Sequence, residues 1–127
     1  MEQTQAVAQA RVVVDHPEEM NLLGLLMRGL LAANLADERL YAKARGMSGD
    51  VLVCAGRMAV TLRFGEGRIT IVRGDAGASR ARVSGGMKDL LGVVAEGRMV
   101  APFLAGRLKI GGNPFVLLGM LPLIKAR

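Results

Sequence analysis

The stretch MAVTLRFGEGRITIV, residues 58–72, alternates apolar and polar side chains on both sides of a Gly-Glu-Gly turn. A period of two with a short glycine-bearing connection is typical of antiparallel strands that have one face on a core and the other in water. Further short strand-like segments lie at residues 51–54, 81–83 and 108–110. We therefore predict a four-stranded meander over residues 50–84 and another strand of the same sheet at residues 107–111.

The same alternation assigns a face of the sheet to each strand residue. The residues predicted to face water are Thr61, Arg63, Arg68, Thr70, Arg80, Arg82, Arg107 and Lys109. The residues predicted to face the helices are Leu62, Phe64, Ile69, Ile71, Val83 and Ile110.

Apolar residues three and four apart precede and follow these strands, which predicts helices. Pro17 and the two acidic residues after it begin a helix that runs to about Ala44 and ends at Gly46. Helical spacing returns over residues 87–95, 99–104 and 114–126. The fold class is therefore α+β, with a single domain over residues 17–127. Residues 1–16 form an N-terminal arm, in which residues 11–14 are either a short strand or a segment laid on the body.

The composition indicates one globular domain from a reducing compartment. The chain has 127 residues, of which 51% are apolar and 22% charged. Its single cysteine, Cys54, cannot form an intramolecular disulfide, which excludes a disulfide scaffold. The first residues contain no basic stretch followed by an apolar run and a cleavage site. We expect a cytoplasmic protein.

The residues that usually carry catalysis or bind metals are scarce. His16 is the only histidine and Cys54 the only cysteine, too few for the usual structural zinc sites. The Gly-Gly-Asn sequence at residues 111–113 matches neither a phosphate-binding loop nor a dinucleotide fingerprint. We therefore expect no enzymatic activity, no metal and no cofactor.

The net charge of +6 is concentrated in one part of the chain, because residues 39–127 contain fifteen basic and five acidic side chains. An excess of positive charge favours anionic partners, either phospholipid surfaces or nucleic acid. Single-strand binders stack bases on aromatic side chains, and only 3% of the whole chain is aromatic, so we expect no nucleic-acid partner. Arg63, Arg80 and Arg82 are the candidates for transient contact with an anionic membrane. A solvated face that aids solubility is the simpler alternative.

The last predicted helix has no polar face. Residues 115–124 are apolar apart from the breaks at Gly119 and Pro122. A helix that is apolar all round must be covered on several sides, by protein, lipid or a ligand. Two alternatives follow: the helix is buried in the core, or it lines an apolar cavity together with residues of the segment 91–104.

The sequence PFLAGRLKIGGN, residues 102–113, followed by a leucine-rich helix, resembles the end of sterol carrier protein type-2 domains. The preceding strands and the helix at residue 87 follow in the order expected of that family. The resemblance implies a five-stranded, mostly antiparallel sheet covered on one face by helices that enclose an apolar tunnel. The chain lacks the peroxisomal C-terminus of the animal members, which is more consistent with a stand-alone bacterial-type member.

The resemblance implies non-catalytic binding of hydrophobic lipids, and possible transfer between membranes, with a fatty acid, acyl-CoA, phospholipid or sterol-like molecule as the ligand. The alternative is an accessory protein that presents an isoprenoid intermediate, such as a quinone precursor, to biosynthetic enzymes. The sequence indicates no stable protein partner. The residues predicted to bind lipid are Leu91, Val94, Met99, Phe103, Leu104, Ile110, Phe115, Leu117, Leu118 and Leu121.

Overall fold

The structure, a computed structural model, describes residues 11–97 and 103–125. Six strands and four α-helices lie wholly within this part of the chain. In chain order they are β1 (Val12–Val14), α1 (Leu22–Leu35), α2 (Glu38–Arg45), β2 (Gly49–Ala55), β3 (Met58–Gly65), β4 (Arg68–Arg73), β5 (Ala81–Gly85), α3 (Met87–Glu96), β6 (Leu108–Gly112) and α4 (Pro114–Ile124), with a short 3-10 helix at Pro17–Glu19. The helix predicted over residues 99–104 falls largely outside the described residues.

The strands form one mixed sheet in the order β1-β4-β3-β2-β5-β6. The meander predicted over residues 50–84 is correct for β2, β3 and β4, which pair antiparallel as consecutive neighbours. It is wrong for β5, which lies on the far side of β2 and pairs with it in parallel. The reason is that alternation reports which face a side chain occupies and carries no information about which strand lies alongside.

Strand β1 makes the sheet six-stranded, where five mostly antiparallel strands were expected. It pairs in parallel with β4 at the edge of the sheet. The Arg11 guanidinium donates to the Leu35 carbonyl oxygen at 2.7 Å and to the Glu38 carboxylate at 2.9 Å. It also lies over the Tyr41 ring, 3.7 Å from the ring centroid. These contacts hold the chain before β1 against the junction of α1 and α2, so the strand is the alternative that forms.

The single helix predicted from Pro17 to Ala44 is divided into three pieces. Asn21 caps α1, because its side chain accepts from the Gly24 N–H at 2.9 Å and donates to the Ala59 carbonyl oxygen at 3.1 Å. Asp37 caps α2 by accepting from the Arg39 N–H at 2.8 Å. Short polar side chains at these positions compete with the continuous helical hydrogen-bond pattern, and so begin new helices.

The core lies on one face of the sheet, beneath α1 and α4. The residues predicted to face the helices are confirmed, since five are buried and Ile110 is half-buried. The arginines predicted to face water are exposed, although Arg80, which precedes β5, lies beside the beginning of α4. On the face opposite the core, hereafter the open face, Lys109 is also exposed and Thr70 is half-buried. Thr61 is the exception, because its residue exposure is 0%.

Thr61 is buried because the loop of residues 74–80, which joins β4 to β5, covers it on the open face. The Thr61 hydroxyl donates to the Gly74 carbonyl oxygen at 2.8 Å and accepts from the Ala76 N–H at 3.0 Å. The prediction that Thr61 faces water is therefore wrong. A hydroxyl fits there because it satisfies two backbone groups that the turning loop leaves without strand partners.

Replacing Thr61 by valine tests this role of the hydroxyl. We expect Thr61→Val to lower the free energy of unfolding by about 1–3 kcal/mol, since a backbone donor and acceptor lose their partner. Thr70→Val is the matched control, because Thr70 makes no side-chain hydrogen bond in the described residues; its cost should stay within about 0.5 kcal/mol. Urea unfolding measures both, and equal stabilities would contradict the role assigned to Thr61.

Candidate functional site

Helix α4 combines a buried apolar face with an exposed apolar face. Asn113 caps the helix by accepting from the Phe115 N–H at 2.9 Å, and Pro114 occupies its first turn. Leu117 and Met120 are buried against the sheet and α1, and Leu123 and Ile124 join the same core. On the other side Phe115 is 78% exposed and Leu118 is 52% exposed. Because no polar residue separates the two faces, water contacts apolar surface along the N-terminal half of the helix.

The C-terminal end of α4 is held by a buried amide. Asn34, which is 2% exposed, donates from Nδ2 to the carbonyl oxygens of Leu123 at 2.6 Å and of Lys125 at 2.9 Å. Pro122 lies inside the helix and has no N–H to donate to the preceding turn. The side chain of Asn34 on α1 therefore supplies hydrogen bonds that the end of α4 does not make within itself.

A pocket of about 230 Å³ lies beside the N-terminal half of α4. It is lined by Gly46, Met47, Ser48, Arg80, Phe115, Val116 and Gly119. Sites for drug-sized ligands usually enclose about 300–1,000 Å³. The pocket can therefore hold the end of a long apolar molecule, and a whole chain needs α4 or its side chains to move.

Cys54 and His16, whose side chains have reactive groups, both have raised pKa values. Burial raises the pKa of the Cys54 thiol above its usual value, and the Asp75 carboxylate raises it further, so the thiol stays protonated at neutral pH. His16 is exposed, and its hydrogen bond to the Asp15 carboxylate raises the pKa of its imidazole. No three His, Cys, Asp or Glu side chains within residues 11–97 and 103–125 are grouped to hold a metal ion.

The three arginines predicted to contact membranes differ in their surroundings. Arg63 pairs with Asp50 through two contacts, at 3.1 and 3.2 Å. Arg82 lies over Gly111 and lines a second pocket on the open face. Arg80 lines the pocket beside α4. Among the described helices, none combines the length and the apolar character that crossing a membrane requires.

The fold is similar to those of several solved structures. A ubiquinone synthesis protein, UbiJ-SCP2, superposes with a TM-score of 0.63 at 18% identity, over 84% of this chain and 93% of that one. The sterol carrier protein domain 2 of Helicoverpa armigera gives 0.61 at 18% identity, over 90% and 95% of the two chains. The chain has the sterol carrier protein 2 fold.

The same fold also occurs within a larger enzyme. The sec-alkylsulfatase Pisa1 from Pseudomonas sp. superposes with a TM-score of 0.61 at 16% identity, over 68% of this chain and 14% of that one. The chain matches no protein-family model, and no curated protein matches it. At these identities the likeness establishes the fold, including the α+β class and the mixed sheet.

Within this sterol carrier protein 2 fold, the residues predicted to bind lipid differ in their burial. Val94 and Leu117 are buried in the core, while Ile110 and Leu121 pack partly buried against it. Those exposed to water are Leu91, Phe103, Leu104, Phe115 and Leu118. Met99 lies outside the described residues. Only Phe115 of this set lines the pocket, and the predicted tunnel between the sheet, the 87–104 segment and α4 stays a prediction.

The sequence reasoning missed most of the residues that line the pocket. Met47 and Ser48 lie in the connection between α2 and β2, where no periodic pattern marks them. Val116 and Gly119 lie in the apolar helix that was singled out, but which of its sides faces a cavity is set by the packing of α1 and the sheet. Gly119 has open space around it, but the helical glycines Gly29 and Gly92 do too, so a helical glycine alone does not mark the pocket.

The amide of Asn34 provides a direct test of how α4 is held. We expect Asn34→Leu to lower the free energy of unfolding by about 1–3 kcal/mol, because two carbonyl groups lose their donor. Amide hydrogen exchange should increase at the C-terminal end of α4 more than in β3. Asn34→Asp should cost more than Asn34→Leu at neutral pH, since it brings a carboxylate beside two carbonyl oxygens. Stabilities equal to that of the unchanged protein would contradict this role of Asn34.

Proposed function

We propose that this protein binds single lipid molecules without catalysis, in an apolar site beneath α4 that opens at the pocket beside its N-terminal half. The observation that carries the proposal is α4 itself, a helix with no polar face that leaves Phe115 and Leu118 in water. Exposed apolar patches on a folded protein often mark a surface that binds a ligand, a membrane or another protein. The sterol carrier protein names of its structural neighbours support the same ligand class.

The energy available to such a site comes from burying methylene groups, at about 0.8 kcal/mol each. A fatty acyl or isoprenoid chain therefore gains enough for binding in the micromolar range after the entropy cost of association. The pocket of about 230 Å³ takes the first part of the chain. The rest is accommodated as the part of α4 between its two attached ends moves away from the sheet, with Leu118 passing over the bound lipid.

The second candidate is presentation of an isoprenoid intermediate to biosynthetic enzymes. It is favoured by the superposition on the ubiquinone synthesis protein, the highest TM-score of the three comparisons above. Two measurements separate the candidates. Native mass spectrometry identifies the lipid that co-purifies, and affinity capture under native conditions identifies bound enzymes. A prenylated quinone precursor together with such enzymes favours presentation, while fatty acids or phospholipids without them favour carriage.

Transient contact with an anionic membrane is the proposed route by which lipid reaches the site. Arg82 and Lys109 are exposed on the open face, and neither forms a salt bridge within the described residues. We expect lipid transfer to be faster from anionic than from neutral vesicles, because each basic residue near such a surface contributes about 1 kcal/mol. The difference should vanish near 1 M salt, where screening shortens to about 3 Å.

Charge reversal on the open face tests the membrane contact. The double variant Arg82→Glu, Lys109→Glu should remove the preference for anionic vesicles while lipid affinity at equilibrium stays unchanged. Stopped-flow transfer of a fluorescent fatty acid measures the rates. If the unchanged protein transfers lipid at equal rates from anionic and neutral vesicles, the membrane contact is contradicted, and the basic residues serve solubility only.

Filling the pocket tests its role in lipid binding. A Cβ at Gly119 would meet no heavy atom within 4 Å, so Gly119→Leu places its side chain in open space. We expect at least a tenfold loss of fluorescent fatty-acid affinity, roughly 1.4 kcal/mol, with unchanged or higher thermal stability because leucine favours a helix interior over glycine.

Gly29 provides the matched control for this experiment. It is also a helical glycine with open space around it, on the exposed side of α1. Gly29→Leu should therefore keep the fatty-acid affinity of the unchanged protein. Equal binding by both variants would contradict the position of the site, and no binding of fatty acid or isoprenoid by the unchanged protein would contradict the proposed function.

A further inference from the structure

Arg80 stands out among the arginines of the sheet by its position beside an apolar pocket. Arg63, Arg68 and Arg107 each lie within salt-bridge distance of a carboxylate. Arg80 has no such partner within the described residues, and it lines the pocket together with Phe115 and Val116. A cation without a counter-ion beside an apolar wall is the arrangement that receives an anionic amphiphile.

Several contacts fix where the Arg80 side chain lies. Its Nη1 donates to the Ser48 carbonyl oxygen at 2.8 Å. Its aliphatic part passes Gly49, which has a φ of +94°, and a Cβ at that residue would overlap Arg80 Cδ. The guanidinium therefore depends on a glycine that leaves room for it, and it is held at the rim of the pocket by a backbone acceptor.

The backbone of Arg80 is also tied to the beginning of α4. The Arg80 carbonyl oxygen accepts from the Asn113 N–H at 2.9 Å, and Arg80 N–H donates to the Asp50 carbonyl oxygen at 2.8 Å. Arg80 consequently keeps its place relative to Phe115 and Val116, which follow Asn113 in the chain. The charged group and the apolar wall form one unit that both the sheet and α4 position.

We infer that Arg80 binds the ionised head of a single-chain amphiphile, a carboxylate or a phosphate, whose apolar chain enters the pocket along Val116 and Gly119. This rests on the proposed lipid-binding function and adds a direction and a selectivity to it. A guanidinium has five N–H donors, and the Ser48 carbonyl oxygen accepts from only one of them. The other N–H groups can make a bidentate contact with the anion. The head lies at the N-terminal end of α4 and the chain runs beneath the helix.

The inference makes the head group decisive among ligands with the same chain. Laurate, dodecyl phosphate and dodecanol share one alkyl chain and differ in charge. Displacement of the neutral dye Nile red, below the concentration at which the ligands form micelles and at mildly alkaline pH, measures their affinities. We expect laurate and dodecyl phosphate to bind about tenfold more tightly than dodecanol. Acetate and inorganic phosphate at the same concentrations should not displace the dye.

Two variants of the same net charge, Arg80→Gln and Arg82→Gln, locate the effect, and Arg80→Lys tests the geometry of the guanidinium. Arg80→Gln should remove the preference for the anions and leave dodecanol affinity unchanged, and Arg80→Lys should keep only part of the preference. Arg82→Gln is the matched control, because it removes one positive charge two residues away, outside this pocket, and should keep the whole preference. Thermal unfolding verifies that the variants remain folded.

The possible failures are distinguishable. A preference that survives Arg80→Gln, or that Arg82→Gln removes equally, would overturn the assignment to Arg80. Equal affinities of the unchanged protein for all three ligands would overturn the inference while the lipid-binding function stands. Displacement of the dye by acetate or inorganic phosphate alone would show a site for free anions and overturn the lipid orientation. If none of the three amphiphiles binds, the proposed function fails, and this inference fails with it.

Discussion

The packing of α4 against the sheet is the constraint on which the rest of the structure depends. An eleven-residue helix without a charged residue cannot satisfy its surface in water, so Leu117, Met120 and Leu123 join the core. Both ends of the helix are fixed by hydrogen bonds to other elements, at Asn34 and at the Arg80 carbonyl oxygen. Between these two attachments the helix is held by apolar contacts, which can be exchanged for contacts with another apolar molecule at little cost.

The crossing of the chain from β4 to β5 connects this constraint to the open face. Because β5 lies beyond β2, the loop of residues 74–80 must pass over the sheet, and Thr61 provides hydrogen bonds for it there. Because of the same crossing, Arg80 lies next to the first residues of β2 and the residue that precedes α4, and its backbone is hydrogen-bonded to Asp50 and Asn113. An ordinary meander would have put β5 next to β4, away from both. The topology thus brings a cation to the apolar helix.

The sequence predicted the elements of this fold better than their arrangement. Alternation located the strands and the core residues of β3 and β4, because one face of each is buried and the period is two. It left β1 as one of two alternatives, because Val12–Val14 is too short to show a period and Arg11 anchors the segment through residues distant in sequence. Thr61 was assigned to water because polarity was taken as exposure, whereas a loop distant in sequence covers it.

The candidate site could be predicted only as far as its helix. The absence of a polar face singled out residues 115–124, and Phe115 does line the pocket. Its other walls come from Met47 and Ser48, in a connection whose position depends on the break at Asp37, and from the non-local pairing of β5. Pocket walls of this kind are products of topology, and local periodicity does not encode them.

The pocket is smaller than a lipid chain, but the apolar surface of α4 lets the pocket enlarge at a low cost in free energy. Phe115 and Leu118 already contact water, so moving them outward exposes little further apolar area. The buried residues on the opposite side, such as Leu117 and Met120, would exchange contacts with the core for contacts with a lipid chain of the same polarity. The cost of opening the N-terminal half of α4 is therefore largely returned when a chain takes the vacated space.

The C-terminal half of α4 is less free to open, because the hydrogen bonds of Asn34 would be lost in an apolar environment that offers no replacement. A helix attached at both ends and exchangeable along the residues between them can admit a ligand larger than its resting pocket without unfolding the sheet.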